Sequence, residues 1–118
     1  MVEADPIDQT VYDGLVDSVG GDQEFLAELL QTYFDDAPNL LGSMHAALAA
    51  GNAGEFRRAA HSLKSNSANF GAMELSRMCK ELEDMGKAGT LDGAGERIAR
   101  AQGEYARVRA ALESATTA

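Results

Sequence analysis

The chain has two histidines, His45 and His61, and only His61 has basic residues close by. Placed on a helix at about 100° per residue, His61 has Arg57, Arg58, Lys64, Ser65 and Ala68 within about 60° of it. Phe56, Ala59, Ala60, Leu63, Ser67 and Phe70 gather on the far side, centred at about 210°. His61 thus sits in the middle of an exposed basic face backed by an apolar one. A neutral imidazole is a nucleophile, and an ordinary histidine with a pKa near 6.5 is mostly neutral at pH 7. Cations beside it disfavour the imidazolium form and can hold an incoming anion. Ser65 and Ala68 are small enough to let another surface approach. The residue types alone also suit a surface histidine among solubilising charges. His45 lacks basic or metal-like neighbours and reads as structural or surface. Cys79 lies on an apolar stripe and reads as a small core residue.

Composition narrows the function classes. With 118 residues, 45% of them apolar and 25% charged, the chain is long enough for one modest core. Its net charge of −9 argues against nucleic acid, whose binding depends on Lys and Arg neutralising phosphates. The same charge argues against an anionic membrane surface. No stretch approaches the roughly 20 apolar residues of a membrane span, and Met1 to Asp5 do not open a secretory signal. A cytoplasmic monomer is the expectation. A single cysteine rules out an internal disulfide and a thiolate zinc site.

The elements that must position His61 read as helices. Alanine is abundant, prolines number two, and sustained period-two alternation is absent. A short helix is predicted from about Asp8 to Val19, with Val11, Leu15 and Val19 on one face and Gly20-Gly21 ending it. Asp22 caps a helix to about Ala37, with Phe25, Leu26, Leu29, Leu30, Tyr33 and Phe34 as its stripe. Pro38 is expected to open a separate helix carrying Leu41, Met44 and Leu48 toward Gly51. Asn52 with Glu55 reads as a capping box for the His61 helix, which runs to about Phe70. Leu75, Met78, Cys79, Leu82 and Met85 mark a further helix, closed by Gly86 and Gly89. Asp92 is the expected cap of the last, with Ile98, Ala101, Tyr105, Val108 and Leu112 inward. The fold class that follows is all-α: an antiparallel four-helix bundle with one or two additional short N-terminal helices.

The run His61-Ser62-Leu63-Lys64-Ser65-Asn66-Ser67, with Gly71-Ala72 after three more residues, resembles the signature of histidine-containing phosphotransfer (HPt) domains. That signature reads His-x-Leu-Lys-Gly-x-Ser, three residues, then Gly-Ala. Gly20-Gly21-Asp22 before Phe25-Leu26, and Cys79, Leu82-Glu83 and Gly86, are similar to the family as well. The likeness extends from about Ile7 to Leu112 and implies one HPt domain over residues 1–118, with a core of about 8–112. It implies that His61 is phosphorylated on Nε2, exchanging phosphate with aspartates of response-regulator receiver domains. A hybrid sensor histidine kinase is the other implied partner. Lys64 is the implied contact to the phosphoryl oxygens, with Lys87 where some members carry a second basic residue. Glu83 stands where members often have a glutamine that orients the imidazole. A carboxylate there could hold Nδ1–H, or Glu83 could be a solvated acid. Ser65 replaces the family glycine and narrows access above the ring.

The chain has no glycine-rich phosphate loop and no metal cluster in its sequence pattern, so Mg²⁺ is expected from the receiver and no cofactor is expected here. The implied role is a phosphocarrier without kinase activity of its own. Docking is expected on Leu15, Phe25, Arg57, Arg58, Ser65 and Ala68. An alternative is an HPt-like module that binds or inhibits a kinase or receiver without turning over phosphate. A carboxylate-bridged metal bundle needs Glu-x-x-His pairs, and neither histidine has Glu three residues before it.

Overall fold

The computed structural model describes residues 5–117, with side chains described to residue 115. The Met1–Ala4 stretch read above for a secretory signal lies outside them, as does Ala118. Five helices follow in order: α1 (Gln9–Ser18), α2 (Gln23–Ala50), α3 (Ala53–Asn69), α4 (Met73–Ala88) and α5 (Ala94–Thr117). Helices α2 to α5 form the antiparallel bundle, and α1 is the one short N-terminal addition among the described residues. Helix α3 packs most extensively on α4 and next on α2, while α5 closes the bundle against both α4 and α2.

Local signals set most boundaries. Asp8 accepts hydrogen bonds from the amides of Thr10 and Val11, and Asp22 accepts one from Phe25. Asn52 accepts from the Glu55 amide at 3.1 Å. The reciprocal half of the expected capping box is not made. The Asn52 amide instead donates to Ala47 O at 2.8 Å, closing the end of α2, and the Glu55 carboxylate holds Arg58 at 2.7 Å.

Three boundaries differ from expectation. Helix α2 runs unbroken through Pro38, although a proline inside a helix costs about 3 kcal/mol. Leu26, Leu30, Tyr33, Ala37, Leu41, Met44 and Ala47 form one buried stripe that passes across it. Each larger side chain on that stripe contributes about 1.5–3 kcal/mol on burial, which outweighs the break. Pro38 itself is exposed, so the gap in the hydrogen-bond ladder opens toward water. Gly86 lies inside α4 and is buried; the closing left-handed residue is Gly89 alone. Helix α5 starts one residue later than an Asp92 cap requires, because the carbonyl of Gly93 accepts from Arg97 N.

The core follows the helical stripes. Phe56, Leu63, Leu75, Leu82, Ile98 and Leu112 are fully buried, and Tyr33 stacks on Phe70 with ring centroids 4.8 Å apart. Ser67, the one polar residue on the inner face of α3, shares a 2.8 Å hydrogen bond with the Tyr33 hydroxyl. Gly71 fastens the N-terminal segment: its φ is +84°, and its carbonyl accepts the Asp8 amide at 2.7 Å. A Cβ there would lie 2.7 Å from the Asp8 carbonyl oxygen, so only glycine fits. Ile7 and Tyr12 bury beside that latch and hold α1 over α3.

Candidate functional site

Every residue assigned from the sequence to the inner face of α3 is buried, so His61 is carried outward, with its side chain 60% exposed. What meets it comes from α4. A Cβ on Gly86 would lie 2.8–2.9 Å from Arg57 N, Cα and Cβ, so the two helices approach closely at that glycine. One turn earlier on α4, Glu83 enters the seam with its side chain only 12% exposed. His61 Nδ1–H donates to Glu83 Oε2, and Lys64 Nζ donates to Oε1 of the same carboxylate at 2.7 Å. The α3 backbone is tied to α4 here as well, by Ser76 Oγ donating to the Lys64 carbonyl at 3.1 Å.

The charge state of Glu83 decides the tautomer of His61. The hydrogen bond from Lys64 holds the Glu83 carboxyl below its ordinary value of 4.5, against the opposing effect of burial and with further help from His61. Glu83 is therefore ionised at neutral pH and can only accept. The hydrogen between it and the ring belongs to Nδ1, so in the neutral imidazole the lone pair sits on Nε2. With Nδ1 turned to α4, Nε2 takes the outward side of the ring. That is the geometry of a fixed and accessible nitrogen nucleophile.

Other residues of the sequence reading are placed less simply. Lys64 is half-buried and bound to Glu83 rather than free beside Nε2, and Arg58 is paired with Glu55. The basic face of α3 thus has the Glu83 carboxylate of α4 at its centre, the first of the two readings open for that residue. Glu83 is correspondingly not a solvated acid. Arg57 is exposed at the close α3–α4 contact, and Lys87 is exposed in the last turn of α4, where its charge complements the helix dipole. Ser65 is exposed and Ala68 half-buried on α3. Phe25 is 46% exposed, one of two large apolar side chains so displayed among the described residues. Leu15 packs partly into the core. His45 is exposed on α2. Cys79 is fully buried and its thiol is pushed up to about 12 by burial, which makes it a core residue with little thiolate.

Among the grooves that flank α3 on the side away from α4, two lie near His61 or adjoin the groove that does. One, of about 530 Å³, runs between α2 and α3 and is lined by Asn39, Ser43, His61, Ser62, Ser65 and Asn66, among others. The second, of about 320 Å³, is apolar and lies between α1, α2 and α3, lined by Val11, Leu15, Leu29, Tyr33 and Phe70. Asp36 and Asn66 line both, so the grooves adjoin. The helical spacing of Val11 and Leu29 predicts core-facing residues, yet both are partly exposed. Their partial exposure follows from how far α1 stands off α2, which no local pattern encodes.

A model of the Hpt domain matches residues 28–113, from α2 into α5. The chain belongs to the Hpt domain family. Its Hpt fold is similar to the crystal structure of histidine-containing phosphotransfer protein B from Pseudomonas aeruginosa PAO1. The two share 35% identity with a TM-score of 0.88, covering 98% of this chain and 97% of that one. The Hpt chain is also 27% identical, over 88 residues, to multistep phosphorelay regulator 1 of Schizosaccharomyces pombe. That match covers 74% of this chain but 30% of the yeast protein, so the chain spans less than a third of that curated relative. No helix among the described residues is long and apolar enough to cross a membrane. The described residues include no group of three or more side chains able to hold a metal ion.

Proposed function

We propose that this Hpt protein carries a phosphoryl group on His61 Nε2 and relays it to and from aspartates of receiver domains in a phosphorelay. The observation that carries the reading is the bond from His61 Nδ1–H to ionised Glu83, which leaves Nε2 as the free nucleophile on an exposed face. In the transfer, the Nε2 lone pair attacks phosphorus and the P–O bond to the receiver aspartate breaks, releasing a carboxylate. Positive charge grows on the ring as the N–P bond forms, and Glu83 offsets it across Nδ1–H. In the reverse direction the ring departs as neutral imidazole with its hydrogen still on Nδ1. The receiver supplies Mg²⁺. The Hpt protein supplies the nucleophile and the docking surface, and has no kinase activity of its own. A sensor histidine kinase stands upstream in the relay.

Docking uses the exposed face of α3, with Arg57, Arg58, Ser65 and Ala68, extended by Leu15 and exposed Phe25. Lys87 adds positive charge beside Arg57, which suits an acidic receiver site.

The test is to mix the protein with a receiver domain carrying labelled aspartyl phosphate and Mg²⁺. Acid-labile label should pass to the wild type and not to His61→Ala. A stable complex with no label on the wild type would mean that the chain binds without turning over phosphate. Lys64→Ala should slow transfer by roughly three- to ten-fold while lowering the melting temperature by no more than about 4 °C. The small shift is expected because a partly exposed ion pair contributes about 0–1 kcal/mol. A large loss of melting temperature would reassign Lys64 to holding the seam together.

A further inference from the structure

Among the cations near His61, Lys64 is bonded to Glu83 and Arg58 to Glu55. Both belong to arrangements that exist before any phosphate arrives. The groove on the opposite side of the ring is furnished differently. Beside His61 it is lined by the hydroxyls of Ser43, Ser62 and Ser65 and the amides of Asn39 and Asn66. Ser65 is the best placed of these. It follows His61 by four residues on α3, so the two share one face, and Cα–Cβ bonds on a helix lean toward its N-terminus. That lean carries Cβ of Ser65 toward the turn that holds His61, and a staggered rotamer brings its hydroxyl to that side. Nδ1 is bound to Glu83 on α4, so Nε2 is the ring nitrogen left free, and His61 itself lines this groove.

We infer that Ser65 donates a hydrogen bond to the phosphoryl group on His61 Nε2 and so lengthens the life of the phosphohistidine. This deepens the proposed function and rests on it. A dianionic phosphoryl group is a strong acceptor, and a charge-assisted hydrogen bond from a neutral hydroxyl needs no counter-ion to be displaced. Loss of the phosphate breaks the N–P bond as water adds to phosphorus, giving inorganic phosphate and neutral imidazole. In a loose transition state the phosphoryl oxygens feed electron density toward phosphorus. A donor on those oxygens therefore holds the starting state more tightly than the transition state. Asp36, the carboxylate that lines the same groove, repels the phosphoryl group, which makes a neutral donor beside the ring more consequential.

The experiment uses the full chain loaded with phosphoramidate, a small donor that needs no receiver. After the donor is removed, phosphohistidine decay is followed by ³¹P NMR at neutral pH in wild type, Ser65→Ala and Ser65→Thr. Ser65→Ala should shorten the half-life by roughly three- to ten-fold, the range for one ordinary hydrogen bond, because part of the bond to the charged group persists in the transition state. Ser65→Thr, which keeps the hydroxyl, should stay within about two-fold of wild type, and melting temperatures should not separate the three. Equal half-lives in wild type and Ser65→Ala overturn the inference while leaving the relay intact. So does a half-life in Ser65→Thr as short as in Ser65→Ala. A wild type that takes no label on His61 from phosphoramidate or from a receiver overturns the proposed function itself.

Discussion

Glu83→Ala slows phosphoryl transfer through His61 by about 10–100-fold, by analogy with the cost of removing a carboxylate that orients a metal-bound histidine. The ring loses the acceptor that holds Nδ1–H, and both the tautomer and the ring angle become free. Glu83→Gln separates the two contributions of the carboxylate. It keeps an acceptor for Nδ1–H but cannot offset the charge that develops on the ring, so its rate should fall between wild type and Glu83→Ala. Rates for Gln equal to wild type would show that orientation alone matters; rates equal to Ala would assign the effect to charge. Stability carries an independent signature. Lys64 holds the Glu83 carboxyl below its ordinary 4.5 in the folded protein. A carboxyl shifted downward adds stability in full above its unfolded value and loses it as pH falls through the folded one. The difference in melting temperature between wild type and Glu83→Gln should therefore shrink as pH falls below about 4.5. A difference that still grows below about pH 4.5 would contradict the assigned charge state.

Gly86→Ala is the second large effect, and Gly103→Ala is its control. A methyl at Gly86 meets Arg57 N, Cα and Cβ at 2.8–2.9 Å, so the helices themselves have to move apart. Overpacking of that kind costs about 3 kcal/mol, and the better helix propensity of alanine returns only about 1 kcal/mol. A net loss of about 2 kcal/mol should lower the melting temperature by roughly 8 °C. Transfer should slow in the same variant, because the seam that opens also positions Glu83 against His61. At Gly103, within α5, a Cβ meets nothing within 4 Å, so only the propensity gain remains and the melting temperature should rise by a few degrees. Calorimetry on the pair checks both signs, and a neutral Gly86→Ala would show that α3 and α4 can separate without cost.

The bundle was legible wherever one helix face decided the outcome. The stripe of α5 and the inner face of α3 are buried residue for residue, since a 3.6-residue period sorts side chains without reference to any partner. Legibility failed where two elements compete for one group. Pro38 is a local stop signal, yet the stripe from Leu26 to Ala47 continues across it and its burial prevails. Gly86 has the local look of a helix end, but its use is to admit the backbone of Arg57. The Asn52 amide was claimed by the end of α2 before a capping box could use it.

The same division runs through the site. The residues of α3 by themselves determined that His61 stands exposed, opposite a buried face and beside Lys64, because all of these lie within one helical repeat. Only the tertiary structure decided what the ring touches. The rotation and close approach of α4, set by Gly86, turn Glu83 inward to take Nδ1–H and the Lys64 ammonium together. Partners across a seam depend on how two helices are spaced and turned against each other, and that spacing is a property of packing rather than of either helix's own sequence.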